Sequence, residues 1–141
     1  MIDANIHAPA VDKLFDLDDG SKGLIDYLES DAINLDQIIK PAGIPRLRVV
    51  PTGTVRENST EYLASIKMRE FLSEVLKRYP DRYTIFDAPS VLESADTRIL
   101  VDMCDQVVLV IPYGQCTETE IKAALDIIGK SKLAGVILNQ F

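Results

Sequence analysis

Two aspartates, Asp3 and Asp87, each stand where a short apolar segment ends and a proline follows within a few residues. The segments read MIDANIHAP at residues 1–9 and YTIFDAP at residues 83–89. A carboxylate at the end of a buried strand can stay hydrated and bind Mg²⁺, directly or through water, because this hard cation prefers oxygen ligands. The pair therefore predicts a site for Mg²⁺ where the two strands end. The alternative for each acid is a cap on the turn that follows it.

Five short runs rich in apolar and β-branched residues predict the strands that would position these acids. They lie at residues 1–4, 47–51, 83–87, 106–112 and 133–138. Most are apolar throughout, as expected for parallel strands covered on both faces. Helical patterns between them imply right-handed crossovers, and so we predict a three-layer α/β fold with a mainly parallel sheet of about five strands. Ligands of such sheets bind beyond the carboxyl ends of the strands, where both acids fall.

Capping signatures predict where the helices begin. They are found at Asn58 with Glu61, at Ser94, and at Thr117 with Glu120. We expect the first of these helices to continue to Pro80, since apolar residues recur at helical spacing up to that point. The pattern is less regular from residue 10 to residue 46 and predicts two short helices, near 21–29 and 33–40.

The composition limits the class of protein. The 141 residues are 47% hydrophobic and 26% charged, which fits a single domain over residues 1–141. A formal net charge of −7 argues against general binding of nucleic acid or anionic membranes, although it leaves room for a small local basic patch. No apolar run approaches the roughly 18 residues of a membrane span, so we expect a cytoplasmic protein without membrane insertion. Cys104 and Cys116 form no CxxC motif, and neither a disulfide framework nor a zinc site is expected.

Longer stretches around the two acids resemble one known family. MIDANIHAP is similar to the Walker A′ segment, and YTIFDAPSVL to the Walker B segment, of the bacterial tyrosine kinases, which are deviant-Walker P-loop ATPases. Residues 49–89 resemble the middle of those kinases, with a strand entering Pro-Thr-Gly and a Tyr-Pro-Asp-Arg sequence ahead of Walker B. The resemblance covers residues 1–141 and is closest to the tyrosine autokinases of exopolysaccharide export and the exosortase system. It implies a P-loop NTPase-like fold with ATP and Mg²⁺ as cofactors.

The resemblance also implies roles for three residues. Asp87 matches the Walker B acid, which holds the Mg²⁺ that bridges the β- and γ-phosphates. Asp3 matches the first Walker A′ acid, which supports the metal and the attacking hydroxyl group. Asn139 matches the asparagine that related ATPases use to recognise adenine, although a polar residue that merely ends a strand is an equal alternative. His7, the only histidine, is close to Asp3 in sequence but is not expected to be catalytic.

Two departures from the family limit what the resemblance implies. No GxxxxGK[ST] motif occurs, and this loop supplies the backbone N–H groups and the lysine that hold the phosphates. Asn5 stands where the family commonly has a second acid, which should weaken metal binding. Since the strand before that loop normally separates the Walker B strand from the QVVLVIP strand, we expect one of two outcomes. Either these two strands pair directly, or an upstream segment, a partner or a second copy supplies the missing strand.

Three functions are compatible with these observations. The first is the ATPase portion of a protein-tyrosine autokinase for exopolysaccharide biosynthesis or export, inactive by itself and brought to the inner face of the membrane by an export adaptor. The second is a non-catalytic binding or regulatory protein of the same fold that partners a kinase or export component. The third is a response-regulator receiver, but a receiver needs an acidic pair after its first strand and a lysine after its last. MIDAN contains one acid and LAGVILNQF contains no lysine.

Overall fold

The computed structural model describes residues 1–18, 20–55 and 59–140, and only the backbone of residues 59 and 60. Short strands and helices alternate along the chain. Their order is β1 (Ile2–Asp3), α1 (Val11–Leu14), α2 (Leu24–Glu29), α3 (Leu35–Ile38), β2 (Lys40–Pro41), β3 (Arg48–Val49), α4 (Ser59–Leu63), α5 (Ile66–Arg78), β4 (Phe86–Asp87), α6 (Ala95–Met103), β5 (Val107–Pro112), α7 (Glu118–Ile128) and β6 (Leu133–Asn139).

The chain divides into two compact units, Met1–Ala88 and Pro89–Phe141. In the first unit, β1 is the central strand. Its Asp3 N–H group donates to the Val50 carbonyl at 2.9 Å on one side. On the other side β1 runs parallel to β4, and Ala4 donates to the Asp87 carbonyl at 2.9 Å. The strand that ends in the first aspartate is therefore held between two neighbours.

The second unit contains the parallel pair β5 and β6 together with α6 and α7. Its apolar core is built around Val91, Val101 and Ala124. Lys132 ties the start of β6 to the end of α6, because its ammonium group donates to the carbonyls of Val101 and Asp102 at 2.7 and 2.8 Å. These two carbonyls lie in the last turn of α6, where the helix itself provides no donors.

The five predicted strands are all present, although most are shorter than their apolar runs. The six strands of the described residues, which include β2 in addition to the five predicted ones, form three pairs. These are β1 with β4, β2 with β3, and β5 with β6, the first and last pairs parallel and the second antiparallel. A direct pairing of β4 with β5, the first outcome expected for a missing strand, would join the two units and stays a prediction. The α/β class is confirmed, and a strand supplied from elsewhere stays a prediction.

The predicted long helix after residue 58 is wrong in one respect, because it is interrupted. Helix α4 ends at Leu63 and α5 begins at Ile66. Between them Ser65 donates its hydroxyl to the Tyr62 carbonyl at 2.6 Å and accepts the Met68 N–H at 3.2 Å. A serine that bonds to nearby backbone competes with the helical ladder, and here it caps a new helix. The predicted cap at Asn58 lies outside the described residues.

The other predicted helix starts are confirmed. Ser94 accepts the Thr97 N–H at 3.3 Å and begins α6, and Thr117 accepts the Glu120 N–H at 3.3 Å and begins α7. The two short helices expected before residue 46 are α2 and α3, whereas α1 and β2 were not predicted. No helix in the part of the chain that the structure describes is both long enough and apolar enough to cross a membrane.

Candidate functional site

The two aspartates singled out in the sequence are direct neighbours on adjacent strands. Asp3 ends β1, Asp87 ends β4, and the two residues are in register across this parallel pair. Parallel strands present their carboxyl ends at the same edge, so both acids lie where the chain leaves the sheet. The predicted juxtaposition is therefore present within the first unit.

Asp3 is fully buried, and its carboxylate is already engaged. Oδ1 accepts the Asn5 N–H at 3.0 Å, and Oδ2 accepts the N–H groups of Ala10 and Val11, each at 3.0 Å. A carboxylate offers about four acceptor positions, and three of them are taken by backbone. The side chain thereby fixes the loop after β1 and the start of α1, which is the turn-capping role that the sequence left open as an alternative.

Asp87 has a different environment from Asp3. The residue is exposed overall, although its carboxylate is partly shielded from water. Burial of the carboxylate, and after it the charge of Asp3, raise the pKa of Asp87 above its usual range. A divalent cation at this position would offset both effects, since it replaces lost hydration and neutralises the neighbouring negative charge. Of the two acids, Asp87 is thus the one whose oxygens are accessible to an ion.

The residues at this edge fit Mg²⁺ held by a single protein carboxylate. No group of three or more His, Cys, Asp or Glu side chains among residues 1–18, 20–55 and 59–140 is placed to hold a metal. Mg²⁺ does not require such a cage, because it keeps several waters and is commonly bound by one or two carboxylates and substrate phosphates. Asp87 matches that pattern, and Asp3 has one acceptor position left.

A third acid near the site, Asp26, was missed by the sequence analysis. It lies in α2 and is buried, and its Oδ2 accepts the N–H groups of Gly23 at 2.9 Å and Thr54 at 3.0 Å. The Gly23 bond could have been found from sequence, since an acid three residues after a helix-capping glycine is a capping pattern. The Thr54 bond spans 28 residues and is set by the tertiary fold alone.

The Pro-Thr-Gly turn after β3 connects α2 to the site. The first N–H groups of α2, from Leu24 and Ile25, donate to the carbonyls of Pro51 and Thr52 at 2.9 Å. Thr52 in turn donates its buried hydroxyl to the carbonyl of Asp3 at 3.2 Å. The turn therefore helps to hold the backbone of Asp3 in place.

Comparison with known proteins agrees with this geometry. The chain is 32% identical to the tyrosine-protein kinase CpsD of Streptococcus agalactiae and to the tyrosine-protein kinase YwqD of Bacillus subtilis, over 99% of its length in both cases. The crystal structure of the VpsO kinase domain superposes with a TM-score of 0.90 at 25% identity, covering 99% of this chain and 68% of that one. The chain is a homologue of the bacterial tyrosine-protein kinases. No profile of a known protein family matches its sequence.

This kinase homologue spans 61% of the length of CpsD and 58% of the length of YwqD. The similarity runs through both acidic segments and confirms the resemblance that the Walker A′ and Walker B stretches indicate. The structural likeness confirms an α/β fold of the kind found in solved tyrosine-kinase domains.

The remaining candidate residues of the homologue are placed as follows. Asn5 uses its side-chain oxygen to accept the Ala8 N–H at 3.2 Å, which closes the turn after β1. His7 lies in the same turn and is exposed. Asn139 ends β6 in the second unit, where its carbonyl accepts the Tyr113 N–H at 2.8 Å. Adenine recognition by its side chain stays a prediction.

Replacing Asp87 with asparagine is expected to stabilise the folded chain at neutral pH. Because the pKa of Asp87 is raised in the folded chain, ionisation of this carboxyl lowers the stability of the fold. The whole loss is present at pH values above the pKa of the folded state. It is absent at pH values below the pKa of the unfolded state, which is about 4. We expect the melting temperature of Asp87→Asn to exceed slightly that of the wild type at pH 7.5. The difference should shrink as the pH falls towards 4, and calorimetry at several pH values measures it. A difference that is constant with pH would contradict the assignment.

Proposed function

We propose that this chain is the metal-binding portion of an ATP-dependent protein-tyrosine kinase that acts in exopolysaccharide biosynthesis or export. The observation that carries the proposal is the register of Asp3 with Asp87 on adjacent parallel strands, within a chain homologous to tyrosine-protein kinases over its whole length. By the same resemblance, the kinase would be held at the inner face of the membrane by a polysaccharide export adaptor.

The two acids would have distinct roles in this kinase. Asp87 would bind Mg²⁺, which neutralises phosphate charge when the nucleotide is present. Asp3 would act mainly as a positioning residue, since three backbone N–H groups occupy its carboxylate and it fixes the loop beside Asp87. Its remaining acceptor position allows contact with a metal-bound water or with the attacking hydroxyl. Asn139 would contribute to adenine recognition.

The phosphate-binding loop would come from an upstream segment of a longer protein, from a partner or from a second copy. The chain has no GxxxxGK[ST] motif, and several apolar side chains on β5 and β6 are about half exposed. They are Val108, Val110, Val136, Ile137 and Leu138, at 49–61% exposure. An apolar surface of this kind favours a covering segment. With that segment in place we expect a single domain with one mainly parallel sheet of about five strands.

Complementation tests the proposal. The chain alone is expected to transfer no phosphate from Mg·ATP to tyrosine, because it has no loop to hold the β- and γ-phosphates. Fusion of a strand–loop–helix segment containing GxxxxGK[ST] ahead of Met1 should restore Mg²⁺-dependent tyrosine phosphorylation, measured with radiolabelled ATP. The matched control is the same fusion with Asp87→Asn, for which we expect at least a 100-fold lower rate.

A regulatory role without catalysis is the second candidate. The observation that favours it is Asn5, which stands where the family commonly has a second acid. The side chain of Asn5 closes a turn by accepting the Ala8 N–H group. In that case the folded fusion would show no heat of binding with Mg·ATP in calorimetry and no phosphate transfer. That result would contradict the kinase proposal and support a protein that partners a kinase or export component.

A further inference from the structure

A cavity of about 240 Å³ lies at the opposite end of the strands that carry the acids. It adjoins the starts of β1 and β3 and the segment before β4, within the first unit. Its apolar wall is formed by Ile2, Ile39, Leu47, Val50 and Val75. This volume is below the roughly 300 Å³ at which drug-sized sites begin, so it suits a single ring or side chain.

Three arginines line this cavity, which we call the arginine pocket. Arg46, Arg48 and Arg82 contribute three positive charges, and Asp81 contributes the one carboxylate of the lining. The pair of Arg46 with Asp81 is 3.9 Å long and mostly exposed, so it is weak and easily rearranged. In a chain with a net charge of −7, the pocket is the local basic patch that the composition leaves room for.

Arg82 is the most constrained of the three. Its Nη1 donates to the Arg46 carbonyl at 3.3 Å, and its guanidinium lies 5.1 Å from the centre of the Tyr79 ring. Its Nε is buried and has no hydrogen-bond partner among the described residues. A buried donor without a partner is costly, and such unpaired groups in native structures commonly mark functional sites.

Arg46 adds a second unusual feature to the pocket. Its backbone adopts a left-handed conformation, with φ at 67°, which a residue other than glycine rarely takes. The hydrogen bond from Arg82 holds the carbonyl of this strained residue. Strain of this kind recurs at ligand sites, where the surrounding structure maintains it. The two arginines are therefore held together at the pocket by a contact of their own.

We propose that the arginine pocket binds an aryl phosphate, the group carried by a phosphotyrosine side chain. The lining residues other than the chain terminus carry a net charge of +2, which matches a phosphate monoester that is mostly doubly charged at pH 7. Guanidinium groups bind phosphate through paired N–H donors, and each of these arginines has donors to spare. The aliphatic wall and the rings of Tyr79 and Tyr83 suit an aromatic ring.

Binding of the free chemical group is tested first. Phenyl phosphate, inorganic phosphate and phenol would each be titrated into the isotope-labelled chain at pH 7.5 and followed by NMR. We expect phenyl phosphate to bind saturably, at least tenfold tighter than the other two, and to shift the amides of residues 46–48 and 79–84. Equal affinity for phenyl phosphate and inorganic phosphate would overturn the proposal, as would the absence of saturation.

Variants of the arginines test the assignment. Arg82→Lys keeps the charge and loses Nε and the planar fork, so we expect affinity for phenyl phosphate to fall at least tenfold. The matched control is Arg78→Lys, because Arg78 also lies over the Tyr79 ring, at 5.8 Å, but does not line the pocket. Arg48→Lys, at an exposed side chain, provides a second variant if Arg82→Lys does not fold. Equal losses in the control and the pocket variants would overturn the assignment.

A short phosphotyrosine peptide and its unphosphorylated form distinguish the source of the ligand. Binding of the phosphorylated peptide indicates a modified protein segment, whereas binding of phenyl phosphate alone indicates a small metabolite of the same class. Only the relevance of phosphotyrosine rests on the proposed kinase function, since a tyrosine kinase produces this group. The titrations measure binding without ATP. Binding of phenyl phosphate and phosphate transfer by the fusion can therefore each succeed or fail independently of the other.

Discussion

Asp3→Asn is expected to lower the free energy of unfolding by about 3 kcal/mol. The carboxylate of Asp3 is fully buried and accepts three backbone N–H groups. An asparagine retains one oxygen acceptor, and its NH₂ group would face an N–H donor in either orientation of the amide. At least one of the donors from Asn5, Ala10 and Val11 would therefore lose its partner. Each buried donor left unsatisfied costs about 1–3 kcal/mol, and the opposed donors add repulsion.

Urea denaturation followed by circular dichroism measures this loss. Asp87→Asn is the matched control, since it makes the same chemical change on the neighbouring strand at an exposed side chain. The two substitutions should therefore move stability in opposite directions at neutral pH. A loss below about 1 kcal/mol for Asp3→Asn would mean that the loop and α1 do not depend on this carboxylate.

Gly53→Ala is expected to be about as damaging, for a steric reason. Gly53 has a φ of 82°, and a Cβ atom added there would lie 2.7 Å from the nitrogen and 2.9 Å from the Cα of Gly23, as well as against the Asp26 carboxylate. The left-handed backbone costs an alanine about 1–2 kcal/mol. Displacing the α2 backbone from the Pro-Thr-Gly turn adds about 1–3 kcal/mol. The expected loss is about 2–5 kcal/mol in the free energy of unfolding.

Gly43→Ala separates the two contributions to that loss. Gly43 has a similar φ of 70°, but a Cβ atom there would meet nothing within 4 Å. This variant should lose only the conformational part, about 1–2 kcal/mol. Denaturation of both variants under the same conditions measures the difference. Equal losses would show that the close approach of α2 to the turn contributes nothing.

Gly53→Ala should also affect the proposed metal site, because the Pro-Thr-Gly turn carries the hydroxyl that contacts the Asp3 carbonyl. Displacing the turn displaces Thr52, and with it the support of the strand that places Asp3 beside Asp87. The stability of the turn and the geometry of the site are thus linked through one hydrogen bond. The same turn was recognisable in the sequence, but its contacts were not.

The sequence by itself determined the features that depend on neighbouring residues. Ser94 and Thr117 start helices because each side chain reaches an N–H group three residues ahead. The apolar runs around Asp3 and Asp87 predicted two strands that end in acids, and parallel pairing then placed both acids at one edge. Periodicity and capping are local, so one chain is enough to infer them.

Only the tertiary structure decided what each acid does. Asp3 and Asp87 are equivalent in the sequence pattern, but a loop that folds back over Asp3 surrounds its carboxylate with N–H groups and leaves Asp87 exposed. Asp26 bonds to Thr54 across 28 residues, and Arg46 meets Arg82 across 36. Such contacts depend on how distant segments pack, and neither residue type nor spacing records that packing.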